Sequence, residues 1–302
     1  MILITGGTGL LGSHLLIELT RQASPIRAMY RSEERIENVK KLFQFYLGDT
    51  WEQAFAKIDW RQGDILDVPK LEELMEGVET VYHSAALVSF ATRDFDKLIK
   101  SNREGTSNVV NTALGAGVKT LAYVSSTAAI GGKDDETSTE ETKWKISPRT
   151  SAYSISKYSA EKEVWRGIEE GLNAVIINPC VIFGPGDWNS SSLAIFKAAK
   201  KGMPFFPPGS NAIVDARDVA NAMFQLMNSN ISKERFLCVG PNLSFKELFS
   251  KLSERLRKKA PRYSSPKFIA LFYALINELL GHITGKSSGI SIESVHSGYK
   301  TI

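Results

Sequence analysis

Residues 1–15 read Met-Ile-Leu-Ile-Thr-Gly-Gly-Thr-Gly-Leu-Leu-Gly-Ser-His-Leu, and this stretch decides the fold. Met1–Ile4 is a short apolar run of the kind that forms a fully buried strand. Gly6, Gly9 and Gly12 follow at three-residue spacing, and Leu10, Leu11, Leu15, Leu16 and Leu19 then recur as on a helix. A strand, a glycine turn and a helix in that order leave unpaired backbone N–H groups at the positive end of the helix, where a pyrophosphate can sit. Gly6 can take turn dihedrals barred to other residues. Gly9 leaves no side chain between backbone and phosphate, and Gly12 lets the helix press against its strand. A glycine triplet alone also fits an ordinary βα turn. With a strand before it and a helix after it, the triplet reads as a dinucleotide cradle.

The 302 residues, 43% of them hydrophobic, can bury a large core in one big or two modest domains. The net charge of +4 comes from 37 basic and 33 acidic residues mixed along the chain. The one basic run, Arg255–Arg262, is short and lacks interleaved aromatics, so it reads as a solvated helix end and not as a nucleic-acid surface. Cys180 and Cys238 lie in apolar, strand-like runs, as buried thiols of a reducing compartment do. A first strand beginning at Met1 leaves no room for a signal peptide. The longest apolar stretch, Phe268–Leu280, is too short to span a bilayer and carries Asn277 and Glu278. It reads as a cap helix lining a substrate pocket or as a dimer contact, ahead of a membrane-surface helix. His14, His83, His282 and His296 are scattered, with no metal-ligand spacing. These features predict a cytoplasmic protein without stable membrane insertion, metal or nucleic acid.

Strand-like and helical patterns alternate, which predicts a parallel sheet covered on both faces. Strands are expected at Ile26–Tyr30, Asp59–Gln62, Thr80–His83, Val118–Ser125 and Ala174–Asn178. Helices are expected at Glu33–Tyr46, Leu71–Met75, Arg103–Ala116 and Ala152–Glu170. Pro179, Gly184, Pro185 and Gly186 break the pattern. After them come a helix at Leu193–Lys201, a turn at Gly202–Gly209, a brief strand Ile213–Val214 and a helix Asp215–Met227. A strand at Phe236–Val239 and helices at Ser244–Lys258 and Pro266–Gly281 complete the chain. The nucleotide-binding domain is expected over 1–180, with 212–228 returning to it, and a smaller cap over most of 181–302.

Three features stand where a bound dinucleotide needs them. At the end of the second strand, Tyr30 and Arg31 occupy the place of the carboxylate that grips an adenosine ribose. Arg31 suits a 2′-phosphate, so NADP is favoured over NAD, though a solvated surface arginine explains it equally. Gly63-Asp64-Ile65 offers a carboxylate to an adenine amino group, or a helix cap. Tyr153-Ser-Ile-Ser-Lys157 places a phenol and an ammonium one helical turn apart, where the cation is expected to lower the phenol's pKa. Tyr158/Lys162 and Tyr263/Lys267 share that spacing. Tyr158 lies about 140° round the helix from Tyr153 and cannot share its site. Tyr153 is preferred because it opens a helix after the irregular segment Gly131–Thr150. It also follows a strand ending in Ser125, Ser126 and Thr127, whose hydroxyls can hold a substrate oxygen.

Taken together, the residues resemble the extended short-chain dehydrogenase/reductase family. The resemblance rests on Thr5–Gly12, Gly63-Asp64, His83-Ser-Ala-Ala86, Asn102 before Gly105-Thr106, Ser125-Ser126, Tyr153–Lys157, Asn178-Pro179, Gly184-Pro185-Gly186 and Asp215–Val219. It implies a Rossmann-type doubly wound parallel sheet with a smaller carboxyl-terminal α/β substrate domain, and a homodimer built from the helices around Arg103–Ala116 and Ala152–Glu170. It implies Tyr153 as general acid–base, with Lys157 holding the nicotinamide ribose. Ser126 orients the substrate oxygen, with Ser125 as its rival and cofactor neighbour. Asn102 stabilises a helix distortion and a proton path. Gly6, Gly9, Leu10, Leu11, Gly12, Arg31, Asp64, Ile65, Ala85 and Ala86 contact the cofactor, and Pro179 and Val181 meet its carboxamide end. Ile26–Arg31 and Val39–Trp60 look most like the dihydroflavonol 4-reductase branch. Members often end in a further helix, whereas this chain stops at Ser297–Ile302, so the cap is expected to be incomplete.

The reading that follows is an NAD(P)(H)-dependent oxidoreductase interconverting a secondary alcohol and a carbonyl. The pocket is expected from Leu87–Phe90, Ala128–Gly132, Phe183–Ser192, Phe205–Phe206 and 266–281, which favours an apolar substrate. Ala128 and Ala129 stand where sugar-nucleotide 4,6-dehydratases carry an acidic pair, which argues against that reaction. A sugar-nucleotide epimerase uses the same triad and is the alternative. A dinucleotide-binding sensor or scaffold without catalysis is the lesser one.

Overall fold

Buried apolar runs make the strands, and amphipathic segments between them make the covering helices. The computed structural model describes residues 1–131, 137–147, 150–189, 191–284 and 291–300. Its first part contains β1 (Ile2–Thr5), α1 (Leu10–Leu19), β2 (Ile26–Tyr30), α2 (Glu34–Leu47), α3 (Trp51–Phe55), β3 (Ile58–Gln62) and α4 (Val68–Met75). Next come β4 (Thr80–His83), α5 (Phe95–Leu98), α6 (Gly105–Gly115), β5 (Thr120–Val124), α7 (Ala152–Glu169) and β6 (Ala174–Pro179). The remainder holds β7 (Val181–Phe183), α8 (Ala194–Lys201), β8 (Phe205–Phe206), β9 (Ser210–Asp215), α9 (Ala216–Met227) and β10 (Glu234–Cys238). It ends with β11 (Asn242–Ser244), α10 (Phe245–Arg255), β12 (Tyr263–Ser264), α11 (Lys267–Thr284) and α12 (Ile292–Gly298).

Seven parallel strands form the central sheet in the order β3-β2-β1-β4-β5-β6-β10. The order reverses between β1 and β4, and the crevice at their carboxyl ends is where such sheets bind ligands. One face packs on α1, α2 and α9 through Leu15, Leu16, Phe43, Val219 and Met223. The other packs on α4, α6 and α7 through Leu71, Leu74, Val109, Val110, Ala160 and Val164. With both faces covered, all four residues of β1 are buried.

The structure corrects three expectations. The strand assigned to the cap at Phe236–Val239 is β10, an edge of the central sheet in register with β6. Its leading Glu234 and Arg235 are what an edge strand tolerates. The helix expected from Arg103 starts at Phe95 and passes through a π-helical stretch, Ile99–Glu104, before α6. Only Leu98 and Asn102 are buried between Phe95 and Glu104, so the apolar period was too sparse to read. Finally, Ile213–Val214 belongs to the six-residue β9, which pairs with β7 and β11 in a separate three-stranded sheet. Gly132, Thr301 and Ile302, among the residues singled out above, lie outside the described residues.

Candidate cofactor and substrate cleft

At the switch point Gly6 has φ +71°, a conformation that favours glycine. A Cβ there would lie 2.6 Å from the Ala85 amide nitrogen, so the turn meets the loop after β4 backbone to backbone. A methyl group at Gly12 would overlap the Gly6 carbonyl. The close approach that Gly12 permits is therefore to the turn, not to β1. Gly9 caps α1 without a side-chain hydrogen bond, and the first turn carries no acid. Those N–H groups and the helix dipole are a fitting cradle for an anionic diphosphate.

From this turn a continuous cleft of about 3000 Å³ runs across the sheet ends to α11 and α12. A single small ligand takes roughly 300–1,000 Å³, so the space accommodates a dinucleotide together with a substrate. Gly9, Leu10, Leu11, Gly12, Arg31, Ala86, Ser125, Ser126, Tyr153, Lys157, Pro179 and Val181 lie on its walls. Arg35 and Asn38 join Arg31 at one end. Five expected residues stand behind the wall. Gly6 and Ala85 hold the turn, and the Ala85 N–H donates to Thr5 Oγ1 at 3.3 Å. Asp64 Oδ1 accepts the Leu66 N–H at 3.0 Å, and Oδ2 is 4.0 Å from Arg31. Ile65 is buried in the core. Asn102, inside the π-helical stretch, clamps Leu87: its Oδ1 accepts the Leu87 N–H at 2.7 Å and its Nδ2 donates to Leu87 O at 2.9 Å.

Tyr153 enters at the second residue of α7, whose amino end is held by two acceptors. Ser151 Oγ accepts the Ser154 N–H at 2.9 Å, and a Glu293 carboxylate oxygen from α12 accepts the Ala152 N–H at 3.3 Å. Burial pushes the Tyr153 phenol up, and its hydrogen bond with Ser126 pulls it back. The expected lowering by Lys157 is not what the structure shows. Lys157 Nζ donates to Tyr123 Oη at 2.9 Å and to the Val124 carbonyl at 2.7 Å, turned under the end of β5. A shared helix face brings two side chains near one another, but the longer one follows the nearest buried acceptor. Burial lowers the Lys157 ammonium to about 7, opposed by the negative charge of Glu161. Tyr158, the rival phenol, stacks flat on Trp144 with centroids 4.1 Å apart and lies off the cleft wall.

Glu161 escaped the sequence reading. It is 2% exposed and accepts from Ser125 Oγ at 2.5 Å, Asn178 Nδ2 at 2.8 Å and Arg235 at 3.0 Å. Arg235 in turn donates to the carbonyls of Glu140 and Thr142, tying the loop that carries Trp144 to α7. The signal was present: Tyr153, Lys157 and Glu161 repeat at four-residue spacing on an inward helix face. Arg35, the second residue of α2, was missed because charge on an exposed helix is ordinary. His83 lies deeper, linking Thr5 Oγ1 at 2.7 Å to Thr106 Oγ1 at 3.0 Å, and burial lowers it to about 3.

This sheet, turn and cleft define an enzyme, an NAD(P)-dependent oxidoreductase of the extended short-chain dehydrogenase/reductase class. Residues 2–240 match the model of the NAD dependent epimerase/dehydratase family, and the chain belongs to that family. It is similar to a Synechocystis sp. protein provisionally named a dihydroflavonol 4-reductase, at 29% identity over 97% of this chain and 83% of that one. It is 30% identical to sterol demethylase protein B of Methylococcus capsulatus, covering 92% of this chain and 81% of that one. Cinnamoyl-CoA reductase 1 of Petunia hybrida is 28% identical, over 88% and 79% of the two chains. These likenesses place it in the dihydroflavonol-reductase-like branch. The crystal structure of gox2253 superposes with TM-score 0.77 at 28% identity, covering all of this chain and 88% of that one.

Proposed function

We propose that this chain is an NADP(H)-dependent reductase interconverting an apolar carbonyl compound and its secondary alcohol, with Tyr153 as the proton donor and acceptor. The observation that carries the reading is the position of Tyr153. Hydrogen-bonded to Ser126, it lines the same cleft as the glycine turn and as apolar Phe90, Phe183, Phe205, Phe249 and Ile269. A bound nicotinamide dinucleotide would supply or accept the hydride. Gly9 through Gly12 would hold its diphosphate, and Arg31 with Arg35 its 2′-phosphate. Ala86 would border the cofactor, Lys157 its second ribose, and Pro179 and Val181 the carboxamide, with Asp64, Ile65 and Ala85 supporting these from behind the wall. Ser126 orients the substrate oxygen while Tyr153 passes it a proton, so negative charge on that oxygen never has to form unprotected. Ser125 is the weaker candidate, because its hydroxyl already donates to Glu161.

A cytoplasmic setting belongs to the same proposal and suits the two free thiols, Cys180 and Cys238. Among the described residues no helix is long and apolar enough to cross a membrane. A homodimer through the helices around Arg103–Ala116 and Ala152–Glu170 also stays a proposal, in a region that carries the ion pairs Arg103–Glu163 and Arg166–Glu170.

Two measurements test the reading. Incubated with NADPH, the protein should consume it in the presence of aryl or alicyclic ketones and aldehydes, and leave UDP-sugars unchanged. Interconversion of UDP-sugars without added cofactor would instead make it an epimerase. Arg31→Ala combined with Arg35→Ala should raise KM for NADPH by about tenfold or more while moving KM for NADH little, because two charge-assisted contacts to the phosphate are lost. Equal changes for both cofactors would remove the argument for NADP.

A further inference from the structure

The face of α11 turned away from the cleft is built for contact with something apolar. Phe268 is 74% exposed, Phe272 67% and Leu279 56%, and with Leu275 they recur at the spacing of one helical stripe. The opposite side meets the protein at Ala274, which is fully buried, and at half-buried Ala270, while Ile269 and Tyr273, each about half exposed, border the cleft between the two. Phe205 and Tyr263, ring centroids 5.9 Å apart on the paired strands β8 and β12, extend the exposed apolar surface at the amino end of the helix. An apolar patch of this kind on a monomer marks a contact surface.

Charge says which contact. The segment running into α11 carries Arg255, Arg257, Lys258, Lys259, Arg262 and Lys267, all exposed. Between Arg255 and Leu279 the sequence holds one acid, Glu278. That acid is turned inward, accepting the Ile292 N–H at 3.1 Å. Cations beside an exposed apolar helical stripe are the two signals that together hold a protein at an anionic lipid surface: apolar insertion into the headgroup boundary and attraction to lipid charge. Phe205, Ile269 and Tyr273 also line the cleft, so its mouth opens beside this surface. We propose that α11 and the basic segment before it dock the enzyme on the surface of a bilayer containing anionic lipid, with the cleft mouth facing the lipid.

Flotation of the purified full-length chain with vesicles tests this independently of catalysis. The chain should rise with vesicles of phosphatidylcholine mixed with phosphatidylglycerol, rise little with phosphatidylcholine alone, and detach as salt is raised. Phe268→Glu with Phe272→Glu should abolish flotation while cofactor affinity and melting temperature stay unchanged. Lys258→Ala with Lys259→Ala, which leaves the apolar stripe intact, should weaken partitioning about fivefold per cation removed. The proposal is overturned if the wild type does not float with anionic vesicles, or if neither pair of substitutions alters flotation. It is equally overturned if the phenylalanine variants turn a sedimenting dimer into a monomer without any effect on vesicles, since α11 would then serve a second copy of the chain.

Discussion

Tyr153→Phe should lower kcat by about a thousandfold, in the middle of the range that a positioned proton-transfer group supplies, and leave the Kd for NADPH unchanged. The substitution keeps the ring, which packs on Phe90 with centroids 5.8 Å apart, and removes only the hydroxyl bonded to Ser126. Melting temperature should therefore stay within a degree or so of wild type, and the loss can be assigned to chemistry. Stopped-flow traces with an apolar ketone, beside cofactor titrations, make the comparison. A variant that turns over at a comparable rate would mean that another group moves the proton and that the site has been misassigned.

Glu161→Ala should destabilise the protein by about 3 kcal/mol in urea denaturation, because it strands a largely buried guanidinium. Arg235 is 17% exposed on its side chain and pairs with Glu161 at 3.0 Å, and Ser125 and Asn178 lose their acceptor in the same stroke. The isosteric Glu161→Gln separates support from charge. It keeps an acceptor for Ser125 but removes the negative charge that raises the Lys157 ammonium. The direction follows from the sign of that influence. With the carboxylate gone, Lys157 loses its proton at a lower pH, so the alkaline limb of kcat/KM that depends on its charge should move down. A purely structural role for Glu161 would lower stability and leave the pH profile in place.

Much of this enzyme was legible before its structure. Buried β1, the glycine turn and the leucines of α1 are local signals, each set by residues adjacent in the chain. The alternation that follows them could produce only a parallel sheet with helices on both faces. Helical geometry set Tyr153 and Tyr158 on different faces, and Tyr158 stacks on Trp144 away from the cleft wall. The misses share one cause. β10 joins the central sheet by pairing with β6 across more than fifty residues of intervening chain, and nothing within Glu234–Cys238 names its partner. The helical turns ahead of Arg103 are likewise held by contacts invisible to periodicity, among them the Asn102 clamp on the Leu87 backbone, within the helix distortion that the resemblance implied at Asn102.

The division is physical. By itself the amino-acid order determined what depends on neighbours a few bonds away: where most strands and helices lie, which glycines free the backbone, which phenol and ammonium share a helix face. Only tertiary structure decided where long side chains found their partners. It sent the Lys157 ammonium to Tyr123 and the Val124 carbonyl, made Glu161 the anchor of Ser125, Asn178 and Arg235, and left one stripe of α11 bare after a segment of exposed cations. Desolvation is the reason. A buried charge takes whichever acceptor the fold brings within reach, and that choice is made by residues far apart in the chain.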